Sequence, residues 1–460
     1  MKKLIFLFAA LFTAGFAMGQ NIVYLTQTGL ANDASVSQTG SNTATVLQET
    51  LLNAKNNDAT ILQNGFGNTS YSKQHQQAGI TAAQDVFVTQ IGNGNAATQI
   101  QGIGYTGYNY ASIGQYTSNN TGYQYQDGYN LSAKINQSGN NANQGSQVQQ
   151  GSHQYAVLTQ VGYSNIGNQN QNGLNHYAEI TSTGDRNQAS QSQNGGNWNS
   201  PPASLGGHSA IIKQFNGNDN TAIQSQTGLQ NNHSTITQDG YSNYSNQSLT
   251  GSSNNAEIYQ YGINNIAYQT IDGDNNNQKL FQTGGGTAYI TQKGMQNVVK
   301  GLSTNAYGFD ATWAKFTGSW LSVNQNGDKN SLALEADGIV TVTQDNSALI
   351  SKVGNTIEFS QAGGGTSTLT QVGDENLIKL TKTGGGTAYL DQEGNVNKVA
   401  MFDDVFGATP VVNSAALFNG SSLTVTQTGD ANLLNLDSTS AGAIVNVSQV
   451  GTNRASVIQH

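Results

Sequence analysis

Apolar and polar positions alternate with a period of two through most of this chain, in short runs that end on glutamine. The runs read Ala34-x-Val36-x-Gln38, Ala44-x-Val46-x-Gln48, Val86-x-Val88-x-Gln90, Ala133-x-Ile135-x-Gln137 and Ala156-x-Leu158-x-Gln160. They continue as Ala256-x-Ile258-x-Gln260, Ala288-x-Ile290-x-Gln292, Ala388-x-Leu390-x-Gln392, Val445-x-Val447-x-Gln449 and Ala455-x-Val457-x-Gln459. Period two is the repeat of a β-strand with one buried face. That face carries a small residue, an aliphatic residue and a glutamine, and the intervening positions are mostly Ser, Thr, Tyr or Asp.

The segment after each glutamine is equally regular and reads x-Gly-x-x-Asn. It occurs as Gln27-Gly29-Asn32, Gln90-Gly92-Asn95, Gln160-Gly162-Asn165, Gln226-Gly228-Asn231, Gln238-Gly240-Asn243 and Gln260-Gly262-Asn265. It occurs again as Gln292-Gly294-Asn297, Gln371-Gly373-Asn376 and Gln427-Gly429-Asn432. Gly permits positive φ, and Asn tolerates left-handed geometry and bonds locally, so this is turn chemistry. Glutamines recur in steps of 10 to 12 residues, as from Gln282 to Gln292 and from Gln226 to Gln238. Two strand-turn units make a rung of about 22 residues, the distance from Gln427 to Gln449.

So short a repeat builds a stack of near-identical rungs and not a globular core. The expected fold is all-β: a cross-β-like solenoid of about 20 rungs, spaced ~4.8 Å apart. A buried amide is unfavourable unless bonded. In-register stacking satisfies it, because each side-chain amide can donate to one neighbour and accept from the other.

Breaks in the pattern divide the chain. Residues 20–194 carry regular repeats, and residues 195–209, with Pro201 and Pro202, read as a loop thrown out of the stack. Repeats resume over 210–460, with aromatic interruptions near 300–320 (Trp313, Phe316, Trp320) and 399–419 (Phe402, Phe406, Phe418). Gln282 to Gln292 carries Gly-Gly-Gly in place of the Asn-containing turn. Residues 1–19 read as a secretory leader: Lys2-Lys3, an apolar stretch from Leu4 to Ala17, and an Ala17-Met18-Gly19 cleavage site. No later stretch is long and apolar enough to span a membrane.

Composition alone, 9% charged with 55 Gly, would suggest a prion-like disordered chain. The alternating apolar face argues otherwise, and so do only 3 prolines, since proline removes a ladder donor. With no Cys there are no disulfides. A formal charge of −9 disfavours nucleic acid as a partner.

Other motifs carry little chemistry. Gly102-x-Gly104-x-x-Gly107 lacks the strand-then-helix setting of a nucleotide loop. Asp272-Gly273-Asp274-Asn275-Asn276 has Asn277 and Thr283 where a calcium loop needs Gly and Glu, so a plain turn is expected. Six histidines lie in no metal-ligand spacing and are expected at the surface, and carboxylates are too sparse for a catalytic cluster. No cofactor, metal or catalytic residue is therefore assigned. Asp239, Asp374, Glu375, Glu393 and Asp430 are read either as charges that repel neighbouring molecules or as ordinary solvated turns. Tyr289 and Tyr389, at matched outward positions, are expected to stack along the rod or to form a sticky stripe.

The pattern Gln-x-Gly-x-x-Asn-x-Ala-x-x-x-Gln resembles the curlin repeat, and Gln27-Gly29-Asn32-Ala34-Gln38 matches it in full. Gln260-Gly262-Asn265-Ala267 matches its first half, and the terminal Ala455-Ser-Val-Ile-Gln459 looks like a last curlin strand. The resemblance covers nearly all residues after the leader, and departs in the number of repeats, the aromatic interruptions and the triple-Gly turns. It implies a secreted subunit of curli-like extracellular amyloid fibres for adhesion and biofilm matrix. It also implies export through an outer-membrane pore, polymerisation with copies of itself, and a nucleator subunit as partner. A soluble cell-surface β-solenoid that binds glycan, ice or another cell is the alternative.

Overall fold

The computed structural model describes residues 20–29, 31–50, 57–76, 83–102, 108–196, 206–300, 314–317, 320–348, 353–362, 365–383, 386–400, 416–418, 422–438 and 444–459. The expected leader and the middles of all three interruptions, with Pro201, Pro202, Trp313, Phe402 and Phe406, lie outside these residues. The described residues form 36 strands and no helix. The fold is a β-solenoid of stacked parallel coils, with successive turns about 23 residues apart.

Most strands pair with the next but one in sequence, which sorts the strands into two parallel ladders joined by short arcs. In the first ladder Ala133, Ile135 and Gln137 lie in register with Ala156, Leu158 and Gln160. In the second, Gly145, Gln147 and Gln149 lie against Gly167, Gln169 and Gln171. Near one end the long strands Asn32–Thr50 and Asn57–Gln76 run through the bend and serve both ladders.

Register survives every interruption. Gln193 bonds Gln226 across the first, Gln292 bonds Gln325 across the second, and Gln392 bonds Gln427 across the third. These inserts add 11 to 13 residues to the 22 of a plain turn, which separates Gln115 from Gln137. The turns are therefore fewer than a chain of uniform 22-residue rungs would give. A loop can lengthen at small entropic cost while the ladder closes beneath it.

The core is a narrow strip between the ladders, and the expected inward residues fill it. Ala133, Ile135 and Gln137 are fully buried, as are Ala156, Leu158 and Gln160. Packing across the strip is tight: a Cβ on Gly167 would fall 2.4 Å from Leu158 Cδ1. From Ala288 onward the second ladder turns aliphatic inside, with Ile290, Val323, Val342, Leu369, Leu390 and Val425 buried. Burying one such side chain contributes roughly 1.5–3 kcal/mol. No helix among the described residues is long and apolar enough to cross a membrane.

Candidate assembly ladder

The terminal glutamines of most strands form columns of amides along the stack. In the first ladder Gln38, Gln63, Gln90, Gln115, Gln137 and Gln160 each donate Nε2 to the next Oε1, at 2.6–2.9 Å. In the second, Gln27, Gln48, Gln74, Gln101, Gln126, Gln149, Gln171, Gln193 and Gln226 do the same at 2.7–3.2 Å. Later columns link Gln214, Gln238, Gln260 and Gln282, and then Gln292, Gln325, Gln344, Gln371, Gln392, Gln427 and Gln449. The second amide hydrogen also finds a partner: Gln137 donates to Thr121 O and Gln149 to Ser132 O, each at 3.0 Å. A buried primary amide with its oxygen and both hydrogens bonded carries little desolvation penalty.

Sequence reasoning missed a second amide column, deeper in the core. Gln99, Gln124, Gln147, Gln169, Gln191, Gln224, Gln247 and Gln269 occupy the aliphatic position of the second ladder and link at 2.7–3.0 Å. Its signal is Gln-x-Gln, as in Gln147-x-Gln149 and Gln169-x-Gln171. The outer column breaks where Leu249 and Ile271 replace glutamine, and there the two apolar residues bury together with Ala256.

The arcs use Gly as the sequence predicts, at positive φ, but use Asn differently. Gly162 sits at φ 126° and Gly294 at φ 102°, and Gly29, Gly92, Gly262, Gly373 and Gly429 are likewise positive. The left-handed residue, however, is the one before the asparagine: Ala31, Ser164, Asn264, Gln296, Glu375 and Ala431 at φ 55–60°, and Gly94 before Asn95. The asparagine itself is a clamp. Asn165 Nδ2 donates to Gly184 O at 2.7 Å in the next turn, and its Oδ1 accepts the backbone N–H of Asn187 at 3.0 Å. Asn376 does the same with Gly394 O and the N–H of Asn397.

Asn95, Asn265, Asn297 and Asn432 are buried in such columns, whereas Asn32 lies in the end turn and bonds Thr28 O. After Gln226 the clamp is Asn232, which bonds Gly251 O, while the expected Asn231 is exposed and left-handed. The step of 12 residues carries one extra residue in that arc. In the triple-Gly arc the backbone N–H of Gly285 takes over as donor to Asn265 Oδ1.

In several arcs the residue after the glycine is a short acceptor. Asp185, Asp274 and Asp430 take the backbone N–H groups of Tyr163, Ser252 and Asn395 in the preceding turn, at 2.7–2.9 Å. Asp374 accepts Gly354 N–H and two further hydrogen-bond donors; burial opposes its charge, but those bonds outweigh it and hold its carboxyl below the usual range. Asp374 and Asp430 are thus parts of the stack, and the calcium-like segment at Asp272–Asn276 is an ordinary arc of it.

Two histidines, expected at the surface, are buried. His176 and His208 fill consecutive positions of an Asn column and stack at 5.1 Å. His176 Nδ1 accepts the backbone N–H of His208 at 3.0 Å, the bond that Asn Oδ1 makes elsewhere, while Nε2 lies 3.0 Å from Asn172 O. The pair is therefore neutral, with the proton on Nε2 of His176. Burial, then the neighbouring His208, lowers the pKa of His176 to about 4, and burial lowers that of His208. Above the ordinary value of 6.5 both folded and unfolded states are neutral and the contribution to stability is full. As pH falls from there towards about 4, the unfolded chain takes up protons that the stack refuses, so stability drops. Amide protection of the neighbouring strands, Ile166–Leu174 and Ser209–Phe215, is expected to be weaker at about pH 5 than at about pH 7. Replacing both histidines by Asn is expected to remove that difference.

On the outer face Tyr289 stacks on Tyr268 at 4.8 Å and 2°, and the row extends to Tyr244 and Trp320. Tyr389 is 45% exposed. Among the described residues no group of His, Cys, Asp and Glu is arranged to hold a metal ion. No family model matches the chain, and no curated protein matches it.

Proposed function

We propose that this protein is a secreted structural subunit of curli-like extracellular amyloid fibres, whose function is the assembled adhesive and biofilm matrix. The observation that carries this reading is the set of amide columns, which leave strand edges at both ends of the described stack. Ile22–Thr28 pairs on one side only, as do Ile444–Val450 and Arg454–Gln459 at the other end. Such edges template further strands. Polymerisation then adds rods end to end, with the ladders continuing from copy to copy. An outer-membrane secretion pore and a nucleator subunit are the partners this reading requires, and neither nucleic acid nor a catalytic role belongs to it.

The test begins with the chain from Gln20 onward, diluted from denaturant with and without preformed fibres. Seeded thioflavin T growth with reflections near ~4.7 and ~10 Å is expected. A β-rich monomer that never seeds would overturn the fibre reading. It would favour the second one, a surface-binding solenoid, for which the outward row Tyr244, Tyr268, Tyr289 and Trp320 offers aromatic contacts for a glycan.

A further inference from the structure

One outward column of the first ladder changes charge from end to end. At one end Asp33, Asp58 and Asp85 stand in register on consecutive turns. At the other, Lys398, Leu433 and Arg454 do. In-register like charges destabilise a sheet. Among the described residues no ion pair reaches the three aspartates. Burial, then the adjacent carboxylate, raises the pKa of both Asp58 and Asp85. Asp33 and Arg454 are both exposed, in the first and last described turns of that ladder.

The amide columns have a direction as well. Every glutamine link donates towards the later turn, so the early end leaves acceptors and the late end leaves donors. Gln38 Oε1, in the first turn, is buried and has no hydrogen-bond partner. A second copy set below that turn, with the chain order of the two ladders continued, brings Gln449 under Gln27 and Gln459 under Gln38. It also brings Ala455 and Val457, which pack against the apolar core, under Ala34 and Val36, which do the same at the other end. In this register Arg454 falls under Asp33, one strand spacing of ~4.8 Å away. A slip of two residues would keep the faces but set Arg454 against Ser35.

We propose that the late end of one copy docks on the early end of the next, and that Arg454 caps the Asp33–Asp58–Asp85 column across the junction. This rests on the fibre reading and adds to it a residue pair that fixes polarity and register. The pair neutralises a like-charge column that a single copy leaves uncompensated. It also gives a partner to the Gln38 acceptor at the same edge.

The test measures elongation of full chains from Gln20 onward on sonicated fibres of the same variant, at low and high salt. Arg454→Glu is expected to slow growth roughly five- to ten-fold at low salt, on the order of what losing and reversing one exposed pair carries. Added salt should slow the natural protein and speed this variant, since it screens attraction in one and repulsion in the other. The double variant Asp33→Arg with Arg454→Glu should recover the natural rate. Growth of Arg454→Glu at the natural rate and salt dependence would overturn the junction while leaving the fibre reading intact. So would a double variant as slow as the single one. A natural protein that never seeds would overturn the fibre reading and the junction with it.

Discussion

Gly162→Ala is expected to destabilise its turn by about 3–5 kcal/mol, from backbone strain at positive φ together with a steric clash. Gly162 sits at φ 126°, and a Cβ there would lie 2.0 Å from Gly184 O in the next turn. Relief requires separating the two turns, which also breaks the 2.7 Å bond from Asn165 Nδ2 to the same oxygen. Gly262 supplies the control. It has φ 97°, but nothing lies within 4 Å of its would-be Cβ. Gly262→Ala should therefore carry only the strain, roughly 1–2 kcal/mol. Because stability in a solenoid is a sum of neighbouring-turn terms, amide exchange resolved by strand is the measurement. Protection should collapse around Gly162 in the first variant and fall modestly in the second. Equal effects would mean that the close approach between turns contributes nothing.

Gln149→Leu is expected to cost about 2–4 kcal/mol, again read by local amide exchange. Gln149 Oε1 accepts Gln126 Nε2, and its Nε2 donates to Gln171 Oε1 and Ser132 O. Leucine leaves one amide hydrogen of Gln126 and the side-chain oxygen of Gln171 without partners in the core, and removes a bond to Ser132 O. Gln226→Leu should cost less. Gln226 accepts from Gln193 and donates to Ser209 O, but the next residue of its column is Leu249, so no glutamine beyond it loses a donor. The new leucine would also gain an apolar neighbour. The natural run of Leu249 and Ile271 makes the same point: the column tolerates apolar residues side by side, where no amide is stranded.

The alternation of Ala, Ile or Leu and Gln determined by itself that the chain forms half-buried strands, which side chains point inward, and that Gln and Gly recur once per arc. Those are consequences of backbone geometry, and a strand's period of two admits no other assignment for Ala133, Ile135 and Gln137. The tertiary structure decided what depends on the neighbouring turn. It made the arc asparagine a clamp on the next turn's glycine carbonyl and gave the left-handed position to the residue before it. It turned Asp374 and Asp430 into backbone acceptors, and it buried His176 and His208 as stand-ins for Asn. It also admitted Gln99 through Gln269 to the core, where glutamine looks too polar until its partners above and below are in place. An isolated strand cannot express these roles, because each is a hydrogen bond to a residue some 18 to 33 positions away that exists only once the coil has closed.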